Sequence, residues 1–106
     1  MSLPNTAVVT VATSHASRYL QQLCKHWSHK LEVEFDPARG RVVFPKDIRG
    51  AAYPEDGVAL FSANPDNLEV TLEASSADQL SSLKEVVASH LDRFAFREAP
   101  LTFDWR

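Results

Sequence analysis

One cysteine, three glycines and no long apolar run: this 106-residue chain is first defined by what it has little of. No stretch approaches the roughly 20 apolar residues that a bilayer span requires. Cys24 stands alone, so no intramolecular disulfide can form, which fits a reducing compartment. Three glycines leave almost nowhere to build a phosphate-cradling loop, and neither a dinucleotide fingerprint nor a nucleophile elbow is present. CxxC, HExxH and paired-cysteine spacings are missing as well. Basic charge is also short: the net charge is -3, whereas a nucleic-acid binder usually carries a basic stripe. The start, Met1-Ser2-Leu3-Pro4-Asn5, has neither the basic nor the apolar region of a secretory signal. The expectation is a soluble cytoplasmic protein forming one domain over residues 1–106, without nucleic-acid or membrane partners.

Hydrophobic residues make up 44% and charged residues 24%, the balance of a globular domain. Ala7 to Ala12 is β-branched and short, a strand. Thr13 or Ser14 can then cap a helix whose apolar stripe runs through Ala16, Leu20, Leu23, Cys24 and Trp27. Leu31 to Asp36 alternates as a half-buried strand. Pro37 and Gly40 supply hairpin-turn chemistry, with Gly40 taking φ > 0, and Arg41 to Phe44 returns. Residues 46–57 carry only breakers. Val58 to Ala63 and Leu68 to Ala74 read as two further strands joined by "NPDN". Ser76 with Gln79 three residues on is a capping box that opens a second helix. Its stripe is Leu80, Leu83, Val87, His90, Leu91 and Phe94; Pro100 stops it, and Leu101 to Arg106 alternates as a closing strand.

The order β-α-β-β-β-β-α-β, with one apolar face per element, predicts an α+β two-layer sandwich. A mainly antiparallel sheet carries both helices on one face, as a variant of the ferredoxin-like arrangement. The outward acidic residues Glu32, Glu34, Glu69 and Glu73 read as a solvated face and disfavour a hydrophobic dimer there. A homodimer by another route stays open.

The chemistry-bearing residues are few. "LCKHWSHKL" puts Cys24, His26 and His29 near one helix end; on a helix, only residues three or four apart share a face. Cys24 lies on the apolar stripe, where a free cysteine behaves as a small hydrophobe. His26 and His29 could instead simply complement the negative end of the helix dipole. His90 falls within the second stripe, where a buried ring must find a hydrogen-bond partner. It reads either as a core histidine on a backbone carbonyl or as a partner of His26 or Cys24 across the helix seam. In that second case the set Cys24, His26, His29 and His90 offers ligands for Zn, Fe or haem. Arg18, Arg93 and Arg97 are candidate anion-binding residues, with Glu98 or the acidic strand faces as their ordinary partners.

"ASRYLQQLCKHWSHKLEVEFD", "GRVVFP" and "VVASHLDRFAFRE" resemble the bacterial domain-of-unknown-function family 2218. The most specific parts are Arg18-Tyr19-Leu20 running into Cys24-Lys25-His26, and His90-Leu91 running into Arg93 to Glu98. The resemblance implies small stand-alone proteins or segments attached to siderophore-interacting ferric reductases. That implies an iron or siderophore context, with such a reductase or a small ligand as partner. Together these readings favour a non-catalytic binding or accessory protein. The alternatives are a haem- or metal-binding protein and a purely structural interaction domain. A ligand histidine should be partly exposed at a cavity, and a structural domain should show an apolar patch without a pocket.

Overall fold

The computed structural model describes residues 4–98 and 101–106. Five strands form one antiparallel sheet in the order β1-β5-β4-β3-β2: β1 Asn5–Ala12, β2 Glu32–Phe35, β3 Arg39–Phe44, β4 Gly57–Ala63 and β5 Asn67–Ala74. The fold is α+β, with helices α1 Ala16–Ser28 and α2 Ala77–Phe94 on the same face of the sheet. The topology is not a clean ferredoxin-like one. β2 to β5 follow one another as a meander of hairpins, and β1 joins beside β5, so α1 must cross the whole sheet to connect its two edges.

Alternation decides which face is covered. Val9 and Val11 on β1, Val42 and Phe44 on β3, Ala59 and Phe61 on β4, and Leu68, Val70 and Leu72 on β5 are all buried. They meet Leu20, Leu23 and Trp27 of α1 and Leu83, Val87 and Leu91 of α2 in one core. Cys24 is wholly buried against this sheet. A Cβ built on Gly40 would lie 2.7 Å from its Sγ, so glycine at 40 is what lets α1 seat on β3.

That role replaces the one expected for Gly40, which does not take a positive φ. The hairpin before it is held by Asp36, whose carboxylate accepts from the Ala38 and Arg39 amides at 2.8 Å each. Those two amides also hold the Asp36 carboxyl below the usual carboxylate range. The positive φ belongs to Gly50 (80°), at the end of a short 3-10 turn, Ile48–Gly50, within the stretch that carried only breakers. α1 starts at His15 rather than on a capping side chain of its own; the Thr13 hydroxyl accepts the His15 N–H at 3.0 Å. Ser76 caps α2 as expected, accepting from the Gln79 amide at 3.1 Å.

Two further differences come from edges. β2 is an outer strand, so Phe35 keeps 38% of its surface exposed and the strand is less buried than its alternation implies. The closing segment, 101–106, is not a regular strand. It runs along the outside of β1 and pairs once, through reciprocal Val8 and Arg106 backbone bonds of 2.8 Å, while Leu101, Phe103 and Trp105 pack against the core. α2 ends at Phe94, and Pro100, the expected stop, lies outside the described residues.

Candidate functional site

The helices run antiparallel, since Tyr19 near the start of α1 meets Glu98 beyond the end of α2, while His26 near the end of α1 meets His90. α1 has 13 residues and α2 has 18. With Tyr19 opposite Glu98 and His26 opposite His90, the first part of α2 runs past the end of α1 by roughly 16 Å at 1.5 Å per residue, and leaves sheet and helix surface uncovered beyond Trp27. The segment from Pro45 to Asp56 arches over that space. It is closed on itself by Lys46 N–H to the Asp56 carboxylate (2.8 Å) and Tyr53 N–H to the Lys46 carbonyl (3.0 Å). It is tied to α2 by Gln79 Nε2 to the Glu55 carbonyl (2.9 Å) and Tyr53 Oη to Ser82 Oγ (3.2 Å).

The arch roofs a cleft of about 1010 Å³. Trp27, Phe44, Ile48 and Val86 give it apolar walls, and His26, Lys30, Tyr53 and His90 give it a polar rim. Ligand sites have this make-up: mostly apolar surface with a few convergent polar groups, at roughly 300–1,000 Å³. A hollow of about 470 Å³ beside Glu34, Arg39 and Leu60 is more open and gathers no comparable cluster.

At the mouth of the cleft the aromatic rings converge. The His26 and His90 centroids are 5.3 Å apart, Trp27 lies 5.1 Å from His90, and Phe94 stands 5.6 Å from His26. Trp27 is itself fixed by edge contact with Phe44 at 5.3 Å. His90 Nδ1 meets the Val86 carbonyl at 2.7 Å. A carbonyl can only accept, so this nitrogen carries a proton and Nε2 is the ring atom left free of that bond. Burial, and then the charges of His90, Arg93, His29 and Lys30, push His26 below the usual histidine value, which favours a neutral ring. His90 bonds a backbone carbonyl, and it lies half-buried at the cleft with the His26 ring across the helix seam.

The other candidates separate. Cys24 leaves the ligand set: it is 0% exposed, faces Gly40 beneath α1, and burial pushes its thiol up to about 11. His29 follows the end of α1 and lines the cleft from an exposed position. Arg18 sits one helix length away, beside Tyr19, and so outside the cleft. Arg93 is exposed in the last turn of α2, close enough to act on His26. Arg97 lies beyond the helix, its guanidinium 5.7 Å from the Phe96 ring, so Arg93 and Arg97 do not share a helical face. Nor does Glu98 pair with them: its carboxylate accepts from the Tyr19 hydroxyl and from Thr13 Oγ1 at 2.9 Å. Of the seven candidates, the structure brings His26, His29 and His90 together at the cleft, with Arg93 nearby.

The roof was the unread part. Ile48 and Tyr53 fall in the stretch with only breakers, and nothing in their spacing points to a cleft. Gln79 was visible as a cap but not as a buried residue. It is 2% exposed, and its Oε1 accepts from Ser75 N–H at 2.6 Å while its amide holds the roof. Among the described residues, no group of three or more His, Cys, Asp or Glu is arranged to hold a metal ion. Among the same residues, no helix is long and apolar enough to cross a membrane.

No curated protein matches the chain. It is similar to PA4090 from Pseudomonas aeruginosa, a structure determined by NMR, with 33% identity and a TM-score of 0.75, over 100% of this chain and 96% of that one. A family model described as an uncharacterized protein conserved in bacteria matches residues 8–106, with the cleft and both helices inside the match, and the chain therefore belongs to that family, DUF2218.

Proposed function

We propose that the protein is a non-catalytic binding module whose ligand seats in the cleft between the end of α1, the first half of α2 and the 45–56 arch. The cleft itself carries the reading, because its indole and phenyl walls suit a flat apolar body and its rim suits an acidic substituent. His26, His29 and Lys30 supply donors for such a group, and Arg93 adds positive charge nearby. On the family resemblance we place the module in the cytoplasm beside iron or siderophore utilisation, with a siderophore-interacting ferric reductase as its partner. A purely structural domain would have no use for such a cleft.

The pairing of His26 with His90 favours haem as a second reading. Two imidazoles cannot complete a four-coordinate zinc site, but haem brings its own ring nitrogens and needs only axial ligands. Rings ligating from opposite sides of one iron would stand at least about 6 Å apart, given metal–nitrogen bonds of about 2 Å. With ring centroids 5.3 Å apart, His26 and His90 would not hold one iron from both sides; one of them would ligate it, with the other beside it.

The test is a pair of titrations followed by amide chemical shifts and absorbance, one with hemin and one with anilinonaphthalene sulfonate, a metal-free aromatic anion. Shifts from both probes centred on Trp27, Tyr53 and Val86 support the organic-ligand reading. Saturable hemin binding with a histidine-ligated spectrum lost in His26→Ala or His90→Ala gives the second reading. Shifts from neither probe at the cleft would sink both.

A further inference from the structure

We infer that the uncovered face of the sheet is the contact surface of a homodimer, in which β3 of each chain lies across β5 of the other. From the sequence alone, the acidic residues of β2 and β5 disfavour this face. The strand order changes the picture, because β4 is the middle strand and presents Val58 and Leu60 outward, both half-buried, with Val43 beside them on β3. The charges flank this apolar centre by sign: Arg39 and Arg41 on β3, Glu69 and Glu73 on β5.

Two such faces fit in one way. A two-fold axis running along β4 between the sheets lays Leu60 on Leu60 and exchanges the flanking strands. Arg39 and Glu69 stand in one cross-strand row on either side of Ser62, so the same rotation brings each Arg39 over Glu69 of the second copy. An axis across the strands would instead set arginine against arginine. Sheets packed face to face lie about 10 Å apart, a gap that long side chains from both sides fill. Within one chain Arg39 and Glu69 are two strands apart, also about 10 Å. Among the described residues neither has an ion-pair partner, whereas Arg41 already meets Glu32 at 3.4 Å. A self-complementary patch of this kind gives a closed two-fold pair rather than a chain of copies.

The face measures roughly 24 Å by 20 Å from strand spacing and length, about 500 Å² per chain. That is at the small end for a specific interface, so the dimer is weak and its population rises with concentration.

Sedimentation velocity over a concentration series tests it. The wild type should move from the single-chain to the two-chain mass. Leu60→Glu should stay single, and Arg39→Glu or Glu69→Arg alone should weaken association at least tenfold, since each creates two like-charge contacts. An equimolar mixture of those two variants should associate again, because every charged contact in the mixed pair joins opposite signs. That rescue keeps the test decisive even if Leu60→Glu does not fold. A wild type of single-chain mass throughout, or a mixture no stronger than either variant alone, overturns the proposal.

Discussion

The two ends of the helix layer use similar polar side chains in opposite ways. Where α1 begins, Tyr19 and Thr13 both donate to the Glu98 carboxylate, so donors and acceptor are matched across chain segments 79 and 85 residues apart. Where α1 ends, His26 and His90 stand 5.3 Å apart at the mouth of a cleft, and among the described residues only one nitrogen of His90 is engaged, by Val86. The first arrangement closes the segment after α2 onto the start of α1. Among the described residues, the second leaves imidazole nitrogens without partners at a cleft that Trp27 helps to line. Polar groups that saturate each other hold the fold together; those left with spare valence at a concave apolar surface are available to something else.

Both ends rest on one core, and the largest expected effect belongs there. Leu20→Ala should cost about 2–5 kcal/mol, because a fully buried leucine is removed between the two ends. Denaturant unfolding measures it, and a loss below 1 kcal/mol, on the order of a surface change, would break the idea of a shared core. Next comes the seam under α1. Gly40→Ala puts a methyl 2.7 Å from the Cys24 sulfur and should cost about 1–3 kcal/mol. Cys24→Ala in the same chain should recover much of that loss. If the two costs simply add, the sulfur is not what Gly40 makes room for.

How much of this was legible depended on whether a residue's role was local. The stripes of α1 and α2, the alternation of β5 and the Ser76 cap are periodic or short-range signals, and they gave the fold class. The pairing of His90 with His26 was also within reach, because each lay at a known place on a helix expected to meet the other. What could not be read came from lengths and distant contacts. The cleft exists because α2 is longer than α1 and the 45–56 arch folds over the difference, and Tyr53 reaches Ser82 across 29 residues. Gly40 shows the same limit, since a glycine after a proline turn reads as a turn residue until the helix opposite it is seen. The sign-ordered sheet face was hidden for a like reason, as strand order sets which charges flank which apolar strand.

A smaller effect sharpens the closed end. Tyr19→Phe should cost about 1 kcal/mol, the ordinary net worth of a hydrogen bond. The hydroxyl of Tyr19, with Thr13, holds the Glu98 carboxyl below the usual glutamate range. A carboxyl depressed in the folded chain contributes stability that is fully present above its unfolded value and is lost as pH falls through the folded one. Thermal unfolding of the wild type should therefore weaken on acidification through the glutamate range, and less so in Glu98→Gln. Identical acid profiles for the two proteins would show that Glu98 is not the staple.

The smallest expected effect on stability is at the open end, and there it should be separated from binding. His26 is exposed, and its replacement by alanine at pH 8 should change stability by no more than about 0.5 kcal/mol, as at other surface positions. Its ring is held below the usual 6.5 in the folded chain. The unfolded chain therefore takes up the proton first as pH falls, and the stability present above 6.5 is lost as pH drops towards the folded value. His26→Ala should lose that part of the slope while losing the chemical-shift response of Trp27 to the aromatic anion or to hemin. A variant that binds either probe as well as the wild type would return His26 to the role of an ordinary helix end. One that loses both binding and several kcal/mol at pH 8, an amount on the order of a core truncation, would show that the two ends of the layer do not differ in kind.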